Sequence, residues 1–339
     1  MPGSNLIPAD IAVLGAGSWG TALAIQCARA GRRTRLWGRD PMLVEALTHE
    51  RVNRRYLPDA AFPDTLYPTA SLQAAVDRVD DVLVAVPSDA FRLLLTQLRP
   101  LLPPATRLCW ATKGFELETG KLPNEVAHEV LGPGRSVAVL SGPTFAHEVG
   151  AGLPTAMTIA SPGLAYAEKL ARDLSSSSFR AYISNDITGV EVGGAVKNVL
   201  AIGAGLSDGL GFGANTRIAL ITRGLVEMMR LGVALGAQRE TFMGLAGLGD
   251  LVLTCTDDHS RNRRFGLALA QGTPVAQALR EIGQVVEGYH AARALRHVAV
   301  RERVIMPIAE GIYGVLYERL PAEQLVRGMM MRPIKPEFD

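Results

Sequence analysis

Lysine is scarce in this chain of 339 residues: only Lys113, Lys121, Lys169, Lys197 and Lys335 stand among its 35 basic side chains. Cysteine is scarcer still. Cys27, Cys109 and Cys255 are odd in number and far apart, which argues against a disulfide framework or a cysteine metal cluster and points to a reducing, cytoplasmic setting. No basic block is present, because 35 basic and 33 acidic residues are mixed along the chain to a net charge of +2. Nucleic acid is therefore not an expected partner. No apolar run reads as long enough to span a bilayer, and the start from Met1 to Ile7 lacks a secretory pattern, so no membrane insertion is expected. His147, His259 and His290 show no helical ligand spacing, and no metal is expected.

What the chain does have is two of its few lysines inside glycine-rich strings, Lys113 in Ala111-Thr112-Lys113-Gly114 and Lys197 in Gly193-Gly194-Ala195-Val196-Lys197-Asn198. An ammonium group can be brought to release its proton, whereas a guanidinium cannot, so these positions suit acid and base chemistry. A second string, Gly15-Ala16-Gly17-Ser18-Trp19-Gly20, follows the strand-like Asp10 to Leu14 and precedes a helical stretch, Thr21 to Ala30. That context is required of a dinucleotide fingerprint. Gly15 permits the turn, Gly17 admits a pyrophosphate and Gly20 lets helix pack on strand, with Ser18 and Trp19 beside the same ligand. The next strand, Thr34 to Trp37, ends at Gly38-Arg39-Asp40, near the place where the adenosine ribose is read. Arg39 there favours a 2′-phosphate, so NADP(H) is the preferred cofactor, with NAD(H) as a second; Asp40 is the counter-argument.

Strand signals recur at Asp81 to Val86, Arg107 to Thr112, Ser136 to Leu140, Thr155 to Ala160 and Phe179 to Ile183, and stop near Asn185. Apolar periodicity then predicts helices over Ile218 to Leu231, Arg263 to Gln271 and His290 to Val300. The expected fold is α/β: an N-terminal doubly wound Rossmann-type sheet over residues 1–186, then an all-helical substrate-binding domain over 187–339.

Taken together, Gly194 to Asn198 continuing through Gly205-Leu206-Ser207-Asp208-Gly209-Leu210-Gly211-Phe212-Gly213-Ala214-Asn215 resembles the signature of the NAD(P)-dependent glycerol-3-phosphate dehydrogenases, bacterial biosynthetic branch. Asn53 to Pro58, Ser141 to Ala146, Gly247 to Leu251, Thr254-Cys255, Ser260 to Arg263 and Val286 to Gly288 follow in family order. The resemblance implies reversible reduction of dihydroxyacetone phosphate to sn-glycerol 3-phosphate for phospholipid synthesis, in a cytoplasmic homodimer. It makes Lys197 the general acid and base, with Lys113 and Asp250 in the catalytic group. It also sets Lys113, Gly142, Thr144, Asn198, Asp250, Thr254, Ser260, Arg261 and Asn262 against substrate. Lys113, Ala146, Arg261, Val285 and Glu287 would add to the cofactor site. Arg261 suits the substrate phosphate, since a guanidinium pairs with it bidentately. Two other functions stay open: a related dehydrogenase acting on another hydroxy acid, or a non-catalytic NADP(H) sensor.

Overall fold

The computed structural model describes residues 9–330; the Met1 to Ile7 start, the tail from Met331 and the outer ends of the two expected domains lie outside the described residues. The strands are β1 (Ile11–Leu14), β2 (Thr34–Trp37), β3 (Val52–Asn53), β4 (Leu57–Ala61), β5 (Leu66–Thr69), β6 (Asp81–Val84), β7 (Arg107–Trp110), β8 (Val137–Ser141), β9 (Thr155–Ala160) and β10 (Phe179–Ser184). Eight of them form one sheet in the order β10-β9-β8-β7-β6-β1-β2-β5, and β3 pairs with β4 in a separate hairpin. From β8 to β5 every pairing is parallel, and β9 reverses direction against β8. The chain order turns around between β1 and β6, which opens a crevice at the carboxyl ends of those strands.

Both faces of the sheet are covered, which is why β1 and β6 are continuous apolar runs rather than alternating ones. Successive residues still point to opposite sides. Ile11, Val13 and Leu83 pack with Leu23 and Ile25 in one apolar cluster, and Ala12, Leu14, Val82 and Val84 pack with Phe91 in another.

Beyond Ser184 the described chain is helical, built around one central helix, Ile187–Gly209. Asp186 starts it: one carboxylate oxygen accepts from the Gly189 amide, and the other accepts from the Gln238 amide and the Thr241 hydroxyl. This helix has the length and apolarity to cross a membrane, contrary to the sequence expectation, but 94% of its most apolar stretch is buried inside the protein. It is the core helix of this half. The helices Gly213–Ala234, Arg261–Ala270 and Glu287–Arg301 all begin earlier than apolar periodicity predicts. Their first turns are rich in polar residues, so the hydrophobic period becomes visible only after them.

Candidate active site

The glycine string makes the turn from β1 into the helix Ser18–Arg29. Gly15 has φ +124°, and a Cβ there would lie 2.6 Å from the Ala85 carbonyl oxygen. At Gly20 a Cβ would lie 1.8 Å from the Gly15 oxygen, whereas at Gly17 it would project into open space. The backbone is thus closed on the protein side and bare on the other, the form needed where a pyrophosphate approaches a helix N-terminus. A cleft of about 900 Å³ opens there, lined by Gly15, Gly17, Ser18, Trp19, Gly20, Arg39 and, from the helical half, Arg261, Val285 and Glu287. These residues suit a dinucleotide.

Asp40, the counter-argument to a 2′-phosphate, has another task. Its carboxylate accepts from the Met42 amide and caps the helix Pro41–Glu50. Arg39 remains exposed at the cleft wall.

Lys113, Lys197 and Asp250 converge. The central helix carries Lys197, and two of its glycines bring the others within reach. A Cβ at Gly193 would come within 2.3 Å of the Ala246 oxygen, so the wide π-helical turn Leu245–Gly249 and the Asp250 that follows lie tight against the helix. A Cβ at Gly194 would meet the Lys113 stem at 3.3 Å and the Ser141 hydroxyl at 3.4 Å. Asp250 is then shared: Lys197 Nζ donates to Oδ1 at 2.5 Å and Lys113 Nζ donates to Oδ2 at 2.8 Å. Lys197 Nζ also donates to Thr254 Oγ1 at 3.1 Å, and that hydroxyl donates to the Asp250 carbonyl at 2.6 Å.

Both Lys197 and Asp250 are buried, at 7% and 1% exposure. Burial pushes the Lys197 ammonium down to about 8; Lys113 adds to the fall, while Asp250 and Glu287 oppose it. For Asp250, burial favours the neutral acid, but the two ammonium groups outweigh it and hold the carboxyl below its ordinary range. An ammonium has three donors, and two of those on Lys197 are committed. The third is left for a ligand.

Around Ser260 the acidic neighbours of Arg261 find other partners. The serine hydroxyl caps the helix Arg261–Ala270 by accepting from the Arg263 amide. Asp258 pairs with Arg263 and Asp257 with His259, so neither occupies Arg261, which donates to Gln284 Oε1 at 3.3 Å. Asn262 and Asn198 meet through Nδ2 of Asn262 and Oδ1 of Asn198 at 3.0 Å. Glu287 accepts from Asn198 Nδ2 at 3.0 Å. Thr144 Oγ1 donates to the Gly142 carbonyl in the turn after β8, and Ala146 starts the helix that follows. Neither Thr144 nor Ala146 lines the cleft.

Several residues escaped the sequence reading. Asn53 is buried, and its Nδ2 donates to the Ala16 carbonyl at 3.1 Å and to Thr21 Oγ1 at 2.8 Å, pinning the β3–β4 hairpin to the glycine turn. Tyr56, Gln284 and His290 line the cleft. His147 and His259, both exposed, stack across the two halves at 4.2 Å between ring centroids. Glu191 Oε1 accepts from Trp110 Nε1 and the Asn124 amide, while Oε2 is buried with no partner among the described residues. Glu191 gives no periodic or motif signal of burial, and the string that Asn53 opens does not say what it touches.

Comparison with known proteins supports one assignment. The family model described as NAD-dependent glycerol-3-phosphate dehydrogenase N-terminus matches residues 10–167, and that for the C-terminus matches 186–327. The chain is 55% identical over 334 residues, 98% of each chain, to "Glycerol-3-phosphate dehydrogenase [NAD(P)+]" of Klebsiella pneumoniae (strain 342), and equally to that of Yersinia pestis (strain Pestoides F). It superposes on the crystal structure of glycerol-3-phosphate dehydrogenase from Coxiella burnetii with a TM-score of 0.92 and 46% identity, covering 96% of this chain and 99% of that one. A dinucleotide cleft at the sheet's switch point and a buried lysine pair on one aspartate thus coincide with full-length likeness, and the chain belongs to the NAD-dependent glycerol-3-phosphate dehydrogenase family.

Proposed function

We propose that this protein is an oxidoreductase interconverting dihydroxyacetone phosphate and sn-glycerol 3-phosphate with NAD(P)H and NAD(P)+, using Lys197 as general acid and base. The observation that carries the chemistry is the Lys197–Asp250–Lys113 bridge. The nicotinamide, when bound, supplies or takes up the hydride. Negative charge then grows on the ketone oxygen, and the site must stabilise it and deliver a proton. Lys197, with a proton affinity near neutrality and one N–H uncommitted, can give that proton and recover one from solvent. Lys113 adds a second cation, and Asp250 keeps both ammonium groups in place. In the oxidative direction, neutral Lys197 accepts the alcohol proton.

Arg261, with Ser260 and Asn262, takes the substrate phosphate: its guanidinium is free of Asp257 and Asp258 and faces the cleft. Gly142, Thr144, Asn198 and Thr254 complete the substrate side, and Lys113, Ala146, Val285 and Glu287 the cofactor side. NADPH is preferred over NADH because Arg39 is available for a 2′-phosphate while Asp40 is engaged in capping. We place the division between the dinucleotide-binding domain 1–186 and the helical domain 187–339 at Asp186, where the last strand has ended and the central helix is capped. The enzyme acts as a cytoplasmic homodimer, and its product feeds phospholipid synthesis.

The test is oxidation of NADPH by dihydroxyacetone phosphate, followed by absorbance, beside NADH and beside Lys197→Ala. Rapid oxidation that the substitution lowers by at least about a thousandfold supports the assignment. Undiminished turnover in Lys197→Ala removes the lysine mechanism, and binding of NADPH without turnover removes the substrate.

A further inference from the structure

Glu287, Asn198, Asn262 and the Gly288 amide form a ring of hydrogen bonds joining three helices. Asn198 Nδ2 donates to Glu287 Oε2, Asn262 Nδ2 donates to Asn198 Oδ1, and the Gly288 amide donates to Asn262 Oδ1 at 2.9 Å. Glu287 and Gly288 are neighbours in the chain, so the ring closes. Its two ends fix its direction: a carboxylate only accepts and a peptide N–H only donates, so neither asparagine amide can turn over without setting like against like. The packing leaves no slack. A Cβ at Gly288 would lie 2.4 Å from the Asn198 carbonyl oxygen and 2.8 Å from Asn262 Oδ1. Both asparagines are buried.

The arrangement has a chemical consequence for the neighbours in sequence, Lys197 and Arg261. Each amide nitrogen carries two hydrogens and gives one to the ring, so each keeps one N–H. Turned over, the same amides would offer carbonyl oxygens where an oxygen-rich anion binds. We infer that Glu287 is a positioning residue for the substrate side: it sets the polarity of Asn198 and Asn262 so that both remain donors toward the phosphorylated substrate. This rests on the proposed role of the Ser260–Asn262 segment, and it is a second task for Glu287 beside the cofactor contact proposed above.

Three variants test it. In Glu287→Leu the acceptor that fixes the ring is gone, and the KM for dihydroxyacetone phosphate rises by about tenfold to a hundredfold, the loss of a hydrogen bond to a charged group. The Kd for NADPH, measured by fluorescence without substrate, reads the cofactor contact of Glu287 separately, and the KM for dihydroxyacetone phosphate is taken at saturating NADPH so that a weaker cofactor site does not enter it. Glu287→Gln, whose amide oxygen still accepts from Asn198, recovers most of the substrate KM. A rise confined to the NADPH Kd, or a Glu287→Gln variant as impaired as Glu287→Leu, overturns the inference. Melting temperature gives a second readout that needs no turnover. Asn262→Asp sets two carboxylates about one Asn198 amide group and lowers Tm. Adding Glu287→Gln lets the ring run backward, from the new amide at position 287 through Asn198 to the new carboxylate at position 262, and restores Tm. Failure of that rescue also overturns the ring, whichever ketone the wild type reduces.

Discussion

Replacing Asp250 with asparagine separates its electrostatic role from its steric one. The carboxylate lies 2.5 Å from Lys197 Nζ and 2.8 Å from Lys113 Nζ, fully buried. A unit charge at about 4 Å in a medium of effective dielectric about 20 is worth about 4 kcal/mol, or about three pKa units. Lys113 stays and repels Lys197 in the same direction. Starting from about 8, the Lys197 ammonium in Asp250→Asn falls by roughly two to three units. At pH 7 the protonated fraction drops from about nine-tenths to between about a tenth and a hundredth. Ketone reduction needs the protonated lysine, so its kcat at pH 7 falls by about tenfold to a hundredfold, and the basic limb of the profile moves to lower pH by the same two to three units. The assay is NADPH consumption at saturating cofactor and dihydroxyacetone phosphate across about pH 5 to 10, with the profile fitted for its basic limb. A rate that falls while the basic limb stays in place would refute the charge argument and leave Asp250 as a steric guide alone.

Other perturbations read the remaining parts. Arg39→Ala raises the KM for NADPH by about tenfold or more and leaves that for NADH within about twofold, since only the former carries a 2′-phosphate; steady-state kinetics with both cofactors checks this, and an unchanged preference removes the argument. Arg261→Ala lowers kcat/KM for dihydroxyacetone phosphate by about a hundredfold but that for unphosphorylated dihydroxyacetone by far less, and equal losses would refute the phosphate assignment. Glu191→Gln raises Tm at pH 8. Burial lifts the Glu191 carboxyl from 4.5 to about 8, so the unfolded chain releases its proton first and this group's stability contribution, intact below 4.5, is lost as pH rises toward 8. The neutral amide avoids that loss of about 4 kcal/mol, and after the pH-independent cost of its own unpaired N–H the gain at pH 8 is about 2 kcal/mol, falling to zero near about pH 6 and changing sign below it; a Tm difference independent of pH would contradict the shift.

The Rossmann half was legible because its signals are local. Gly15, Gly17 and Gly20 sit between a buried strand and a helix; Gly15 and Gly20 answer contacts that their neighbours impose, and Gly17 keeps the ligand side bare. The reversal of β9 was not legible, since a short strand carries the same alternation in either direction. The lysines drew attention by their rarity, yet nothing in the spacing of Lys113, Lys197 and Asp250 says that they share one carboxylate. That contact is long-range, made by a helix from the second half lying over the carboxyl ends of the first. Asn53 shows the same limit: it opens one of the family strings, yet only the fold brings it beneath the glycine turn. Nor does the sequence say which arginine the acidic neighbours take: Asp258 pairs with Arg263 and not with Arg261.

The central helix Ile187–Gly209 also bears on how activity and folding are tied together. Two of its glycines are notches into which other segments seat, Gly193 receiving Ala246 and Gly205 receiving Arg263, and Gly288 of the helix Glu287–Arg301 rests on its Asn198. Each of those segments brings a component of the site with it. A local opening that freed the helix would separate the ammonium from its carboxylate and both asparagines from their ring. The amides of this helix should therefore exchange with deuterium only through the largest cooperative unfolding of the helical half. In such a protein heat would not leave a weakened enzyme: catalytic competence and the last protected core would disappear in a single step.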